Sequence, residues 1–294
     1  MNSVLVLAIF AALGLAPSTG PVPGRAAPAA HLQACAPIDD TAVLNYALTL
    51  EHLESAFYSG ALARFDAHAF ADAGLPASAR ARITEIAAHE QLLQTLLRDK
   101  AVRPCEYFFP YRYVRLFAAL SQVLEGVGAS AYIGAAAFIT DKVSLTVAAS
   151  ILSTEARHAS YVQAAVNNLA PWSGPFDAAL SMNTAYSLAR LFITACPDAD
   201  GSLRARPFPA LTVVTCDPQP GSQATLEFEA PGGSGALWLA LFSGLEKKFV
   251  RIDEGKEVAI PAGMRGTVYG VVSRSANSTR DEGVVAGVAI LQFD

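Results

Sequence analysis

The chain has 294 residues, a formal net charge of −5, 52% hydrophobic residues and only 16% charged ones. That length leaves room for two domains, and that composition for a large buried core. The mild acidity, without any Lys/Arg run interleaved with aromatics, argues against a nucleic-acid partner.

At the amino end, Val4 to Leu15 is an uninterrupted apolar run followed by Pro17-Ser18-Thr19-Gly20. It is too short to span a bilayer and has the form of the hydrophobic region of a secretory signal peptide, placed at residues 1–20. Pro21 to Ala34, rich in Pro, Gly and Ala, reads as a disordered leader that extends to residue 38. The mature protein is therefore expected to be secreted, with no membrane partner once the signal is cleaved.

Residues 39–196 carry helical patterns. Helix one is expected from about Asp40 to Phe65, where Val43, Leu44, Ala47, Leu50, Phe57, Tyr58 and Ala61 share a face. Asp39, Asp40 or Thr41 can cap it. A loop with Gly74, Pro76 and Ser78 leads to helix two, about Ala79 to Asp99. Two prolines make residues 103–110 non-helical. Helix three follows from about Tyr111 to Ile139, and Thr140-Asp141 caps helix four, about Lys142 to Leu169. A shorter helix, about Asn183 to Thr194, closes the domain. The roughly dozen residues between helices two and three reach roughly 40 Å when extended, the length of one bundle helix. They can cross the bundle from end to end, so the expectation is two helical hairpins joined by one long crossover.

Pro197 to Pro209 reads as a linker. Beyond it come seven short β-branched or aromatic runs: Leu211–Cys216, Ala224–Glu229, Ala236–Phe242, Lys248–Ile252, Glu257–Ile260, Thr267–Ser273 and Val284–Phe293. Turn residues separate them, and residues 210–294 are expected to form a small β-sandwich. Trp238 and Tyr269 are candidate binding aromatics there, although burial is the commoner fate of strand aromatics.

Four cysteines, Cys35, Cys105, Cys196 and Cys216, fit an oxidising compartment, and none lies in a C-x-x-C pair that would hold zinc. Of three possible pairings, Cys35–Cys105 and Cys196–Cys216 are favoured here. Asn277-Ser278-Thr279 is a glycosylation sequon, which makes Asn277 a candidate glycan site.

The chemistry concentrates in the helices. Glu51 and Glu125 each have a tyrosine seven residues on, Tyr58 and Tyr132, within otherwise apolar stretches. Glu90 lies in helix two, and Glu155 and His158 project together from helix four. Glu54 falls in the same broad arc as Glu51 and is its rival. The four helix midpoints lie near these glutamates, so Glu51, Glu90, Glu125 and Glu155 are expected in one layer. A four-helix bundle makes an internal metal site in this way, because a charge in such a core needs a partner. His89 points about 100° away from Glu90 and is read as an outer residue, and His52 as solvated.

The run Leu44 to Tyr58 resembles the first helix of secreted ferritin-like proteins, a group that includes fungal Rds-type stress-response proteins and plant desiccation-related proteins. Ile86-Ala87-Ala88-His89-Glu90, Leu124 to Tyr132 and Ser150 to His158 resemble the same group. The resemblance implies a ferritin-like bundle holding iron or manganese through Glu51, Glu90, Glu125, Glu155 and His158. Glu90 and Glu155 would bridge, and Tyr58 and Tyr132 would hydrogen-bond to the ligands. Leu93 stands where the family pattern expects a second histidine, so one metal position is expected to lack its nitrogen ligand.

A second reading is non-enzymatic. The carboxyls would be a vestigial metal-free core sharing protons with one another and with Tyr58 and Tyr132, and the β-sandwich would contact a cell-wall polysaccharide or a protein. A hydrolase is the weakest reading, since no G-x-S-x-G elbow is present.

Overall fold

The computed structural model describes residues 38–93, 102–197, 203–229 and 235–293. The expected signal peptide, nearly all of the leader, Cys35 and the last turns expected of helix two lie outside the described residues.

Helix α1 spans Asp40–Arg64. Asp39 caps it by accepting from the Ala42 N–H at 2.8 Å, and Arg64 sits in its last turn, where a cation suits the helix dipole. Asp66 then caps a short helix not foreseen from the pattern, α2 (Ala67–Asp72), within what reads as a loop. Helix α3 (Ala79–Leu93) returns along α1. The Arg80 guanidinium reaches the Leu62 and Phe65 carbonyls at 3.3 and 3.2 Å, so the two helices are antiparallel.

Helix α4 (Val114–Ala136) and helix α5 (Lys142–Tyr161) make the second hairpin. Asp141 caps α5 through the Ser144 N–H. Asp40 of α1 accepts from the Thr140 and Asp141 N–H groups at 2.9 and 2.7 Å, which pins the α1 start to this turn. Those two backbone donors hold the Asp40 carboxyl below the usual carboxylate range. Helix α5 ends earlier than its apolar pattern suggests and passes into a π turn, Val162–Val166.

Residues 102–113 run beside α1, from Val102 near Asn45 and His52 to Tyr111 against Phe57 and Arg64. His52 is therefore half-buried, with Nε2 3.0 Å from the Val102 carbonyl, instead of solvated. Within this crossover, strand β1 (Glu106–Tyr107) pairs with β2 (Ile193–Ala195). The last helix, α6 (Met182–Ala189), thus stops short of the expected Thr194. The β-branched Ile193-Thr194 find a strand partner in the crossover, and this outweighs helical continuation.

That ladder also corrects the disulfide expectation. Cys105 bonds to Cys196, with Cα atoms 4.2 Å apart beside the Glu106–Ala195 pair, and Cys216 is exposed, with no disulfide partner among the described residues. Sequence spacing gave no sign of this pairing, because strands too short to recognise create it. Closing a loop with a sequence separation of 91 is worth roughly 4–5 kcal/mol on the chain-entropy account.

The carboxyl-terminal strands form a three-stranded sheet of order β3-β4-β7 and a four-stranded sheet of order β6-β5-β8-β9. Their ranges are β3 Leu211–Val213, β4 Gln223–Phe228, β5 Trp238–Ser243, β6 Glu246–Arg251, β7 Glu257–Ala259, β8 Gly266–Ser273 and β9 Val284–Phe293. All neighbours are antiparallel. Leu239, Leu241, Val268 and Val272 face the smaller sheet, whereas Ala240, Phe242, Tyr269 and Val271 join the helical core. The larger sheet is buried on both faces, which explains why its central strands read as nearly continuous apolar runs. Tyr269 is consequently a core residue, and Trp238 is half-buried.

Helix α4 lies between the other helices and this sheet. It is long and apolar enough to cross a membrane, but 83% of that window is buried inside the protein. A helix covered on all sides is hydrophobic all round. Gln122 donates to Gln292 at 3.1 Å across the seam. At Gly134 the Leu180 carbonyl comes so close that any Cβ would collide with it. Segment 203–209, expected as a linker, is strapped down: the Arg206 and Phe208 N–H groups donate to Asn183 and Ser187 of α6.

Candidate metal centre

Helix α1 supplies Glu51 and Glu54, one turn apart. Helix α3 supplies Glu90, α4 supplies Glu125, and α5 supplies Glu155 with His158. Glu90, Glu125 and Glu155 are wholly buried, and Glu51, Glu54 and His158 are 2, 4 and 6% exposed. Two sets of ligand atoms converge, each within 4.8 Å: Glu90, Glu125, Glu155 and His158, and Glu51, Glu54, Glu90 and Glu155. Glu90 and Glu155 are common to both.

The two tyrosines are exchanged between helices. Tyr132 of α4 donates to Glu51 of α1 at 2.5 Å, and Tyr58 of α1 donates to Glu125 of α4. The pairs 51/132 and 58/125 run in opposite directions along their helices, so α1 and α4 are antiparallel. With α1 also antiparallel to α3, α3 and α4 are parallel, as an end-to-end crossover requires. Tyr58 is held in turn by Ser121 at 2.6 Å. Burial, then the neighbouring carboxylates, push both phenols above their ordinary range, so each remains an O–H donor.

These hydrogen bonds leave most of the cluster unsatisfied. Among the described residues, nine buried side-chain polar atoms lack a hydrogen-bond partner, and seven belong here: Glu51 Oε2, both oxygens of Glu90, Glu125 Oε2, both oxygens of Glu155, and His158 Nδ1. Buried polar atoms are normally paired, so this concentration marks a place where something else completes the shell. His158 Nδ1 lies 3.2 Å from Glu90 Oε1 and from Glu125 Oε2. It lies between the two carboxylates, within ion-pair distance of both. Gly128 keeps the space open, since a Cβ there would stand 2.5 Å from Glu155 Oε2 and 3.1 Å from Glu54 Oε1.

The electrostatics agree. Burial first, and then the surrounding carboxylates, raise Glu51, Glu54 and Glu155 well above the ordinary glutamate value. Glu125 is also raised by burial, with His158 and Tyr58 opposing. Burial depresses His158, but Glu125 and Glu90 more than reverse this and push it up to about 9. Such a cluster needs positive charge, from protons or from a cation. One N/O₃ set and one all-carboxylate set suit iron, manganese or another hard divalent ion. The residues present fit a metal.

Residues 39–168 match the family model of the ferritin-like domain. The helical half is a ferritin-like domain. The chain is also similar to protein rds1 of Schizosaccharomyces pombe, 26% identical over 176 residues. That match covers 58% of this chain and 44% of the relative, so it spans less than half of the relative's length.

Within the ferritin-like domain, two contributions go beyond the motif pattern. Leu93 ends α3 three residues after Glu90, so that helix offers no Glu-x-x-His. Instead Glu54 enters the second set beside Glu51. The signal was the i, i+3 spacing on α1, which made the two look like rivals when both point inward. The other contribution is His89. It is exposed, as its helical phase requires, yet its Nδ1 lies 3.0 Å from His158 Nε2. The rings are 8° from parallel with centroids 5.2 Å apart, too far for face-to-face contact, so they meet edge to edge. This bond occupies Nε2 and leaves Nδ1 for the cluster. The π turn begins four residues after His158, and such turns recur beside functional sites.

Proposed function

We propose that this is an exported ferritin-like protein whose bundle binds one or two transition-metal ions, iron or manganese. Glu125, Glu155, Glu90 and His158 would hold one ion. Glu51, Glu54, Glu90 and Glu155 would hold the second, and Glu90 and Glu155 belong to both sets. The single observation that carries this reading is the convergence of five buried glutamates and His158 into two sets of ligand atoms that share Glu90 and Glu155.

When bound, an ion of this kind supplies redox or Lewis-acid chemistry toward oxygen or peroxide. The chain's own residues do the rest. Tyr58 and Tyr132 fix one oxygen of Glu125 and of Glu51, which orients the other. His89 fixes the His158 ring. The helices and the large sheet bury the ligand side chains. The resemblance to Rds-type and desiccation-related proteins supports a role under oxidative or drying stress. Export is supported by the apolar run Val4–Leu15 and by the Cys105–Cys196 disulfide. The exposed Asn277 is the proposed glycan site. The β-sandwich is the surface proposed for any cell-wall or protein contact, though not through the buried Tyr269.

Metal analysis of protein purified from a secretory host tests the reading. The expected result is at least about one equivalent of iron or manganese per chain, lost in Glu125→Ala and Glu155→Ala. Absence of metal, with melting unchanged by a chelator, would overturn it.

A further inference from the structure

Beside the carboxylate layer, α1, α4 and α5 border a partly open cavity of about 160 Å³ lined by Leu44, Ala47, Leu48, Val143, Val147, Ala148 and Ile151. Among the described residues, its other lining residues are Ser144, Glu51 and Tyr132. Val143, 73% exposed, places the mouth at the surface. Glu51, 2% exposed, belongs to the inner end, its Oε1 bonded to Tyr132 and its Oε2 without a partner. The cavity therefore joins solvent to the carboxylate cluster through an apolar sleeve.

We propose that this cavity is a binding site for a small, neutral, apolar molecule, which it brings against Glu51 and Tyr132. The lining chemistry sets the ligand class. Among the described residues, no basic side chain lines the cavity to receive an anion. A cation would have to leave water for a wall of Leu, Val, Ile and Ala before reaching the single carboxylate. A closed apolar cavity of about 150 Å³ in another protein takes benzene or xenon; this one has a similar volume and an apolar wall but opens at one end. A volume of this order suits a single aromatic ring or a short alkyl chain, on the order of six to nine non-hydrogen atoms. A longer alkyl chain can trail out past Val143. That the bound molecule is a substrate of the metal centre rests on the proposed function, whereas its binding does not.

The test is toluene binding to the full chain stripped of metal, followed by NMR chemical-shift changes and by calorimetry, and repeated after loading with Mn²⁺. The expected result is saturable binding, with shifts at Ala47, Val147, Ala148 and Tyr132 in the metal-free protein, and saturable binding by calorimetry after Mn²⁺ loading. Ala148→Leu fills the sleeve from a buried position and Ala47→Leu from a half-buried one that the fold tolerates more readily. Each should lower toluene affinity at least about tenfold, since added methylenes occupy the ligand's volume. Toluene affinity unchanged in both variants, or no saturable binding by the full chain, would overturn the proposal. Binding seen only after residues 1–37 are removed would also overturn it, because the chain's own leader would then be the occupant. Binding of toluene by protein that takes up no metal would sustain the cavity and sink the metal reading, so the two failures are distinguishable.

Discussion

Along α1 the bundle core changes character within two helical turns. Glu51 and Glu54 face a layer of carboxylates in which seven buried atoms lack partners. Phe57, one turn on, lies in a dry aromatic layer, with ring centroids 5.1–5.3 Å from Phe117, Tyr58, Phe109 and Tyr111, three of the four pairs edge to face. Phe57 and Phe117 are completely buried. The aromatic layer gains from burial and ring geometry. The carboxylate layer costs stability unless a cation completes it. One half of the bundle stabilises the fold, and this lets the other keep an arrangement that is unfavourable when metal-free.

Three measurements can break or sharpen that contrast. The largest expected effect is on the aromatic side. Phe117→Ala should cost roughly 3–5 kcal/mol in urea unfolding, while metal bound per folded molecule stays unchanged. Loss of metal in step with loss of stability would mean the layers are not separable. Next is His89→Ala, which touches no carboxylate. Releasing His158 Nε2 should weaken metal affinity about tenfold to a hundredfold, read by competition with a chelator, with the metal-free melting temperature little altered.

The third measurement is pH dependence, in which the effect of any one group per pH unit is the smallest of the three. The raised glutamates bind more protons folded than unfolded at pH values above the ordinary 4.5, and His158 does so between 6.5 and about 9. Stability of the metal-free protein should therefore be greatest near or below the ordinary glutamate value and fall as pH rises toward 9. Each titrating group costs at most about 1.4 kcal/mol per pH unit in its window. Glu155→Gln should flatten that slope and remove metal binding together. A metal-free protein equally stable across this range would contradict the assigned burial cost.

The sequence exposes the helical half far better than the contacts between elements. Four helices, the crossover and seven carboxyl-terminal strands show in periodicity and turn residues, because each element's burial is written along its own length. Glu51, Glu90, Glu125, Glu155 and His158 show for the same reason: charged residues interrupt apolar faces at matching depth. The Cys105–Cys196 bridge does not show, since it depends on a two-residue strand whose partner lies across the fold. Nor does the crosswise exchange of Tyr58 and Tyr132, because helix direction decides which glutamate each tyrosine meets. The joint use of Glu51 and Glu54 is hidden by a broad helical arc in which either alone would serve. Helix α4 looks like a membrane candidate only until the sheet that covers it is in place.

The account rests on Glu90 and Glu155 serving two ions at once, and anomalous diffraction at the iron and manganese edges tests this directly. Crystals of protein purified with its metal should show a peak within coordination distance of Glu90, Glu155 and His158, and a second beside Glu51 and Glu54 as manganese is added. No anomalous peak at saturating metal, with those carboxyls hydrogen-bonded only to one another or to water, would contradict it.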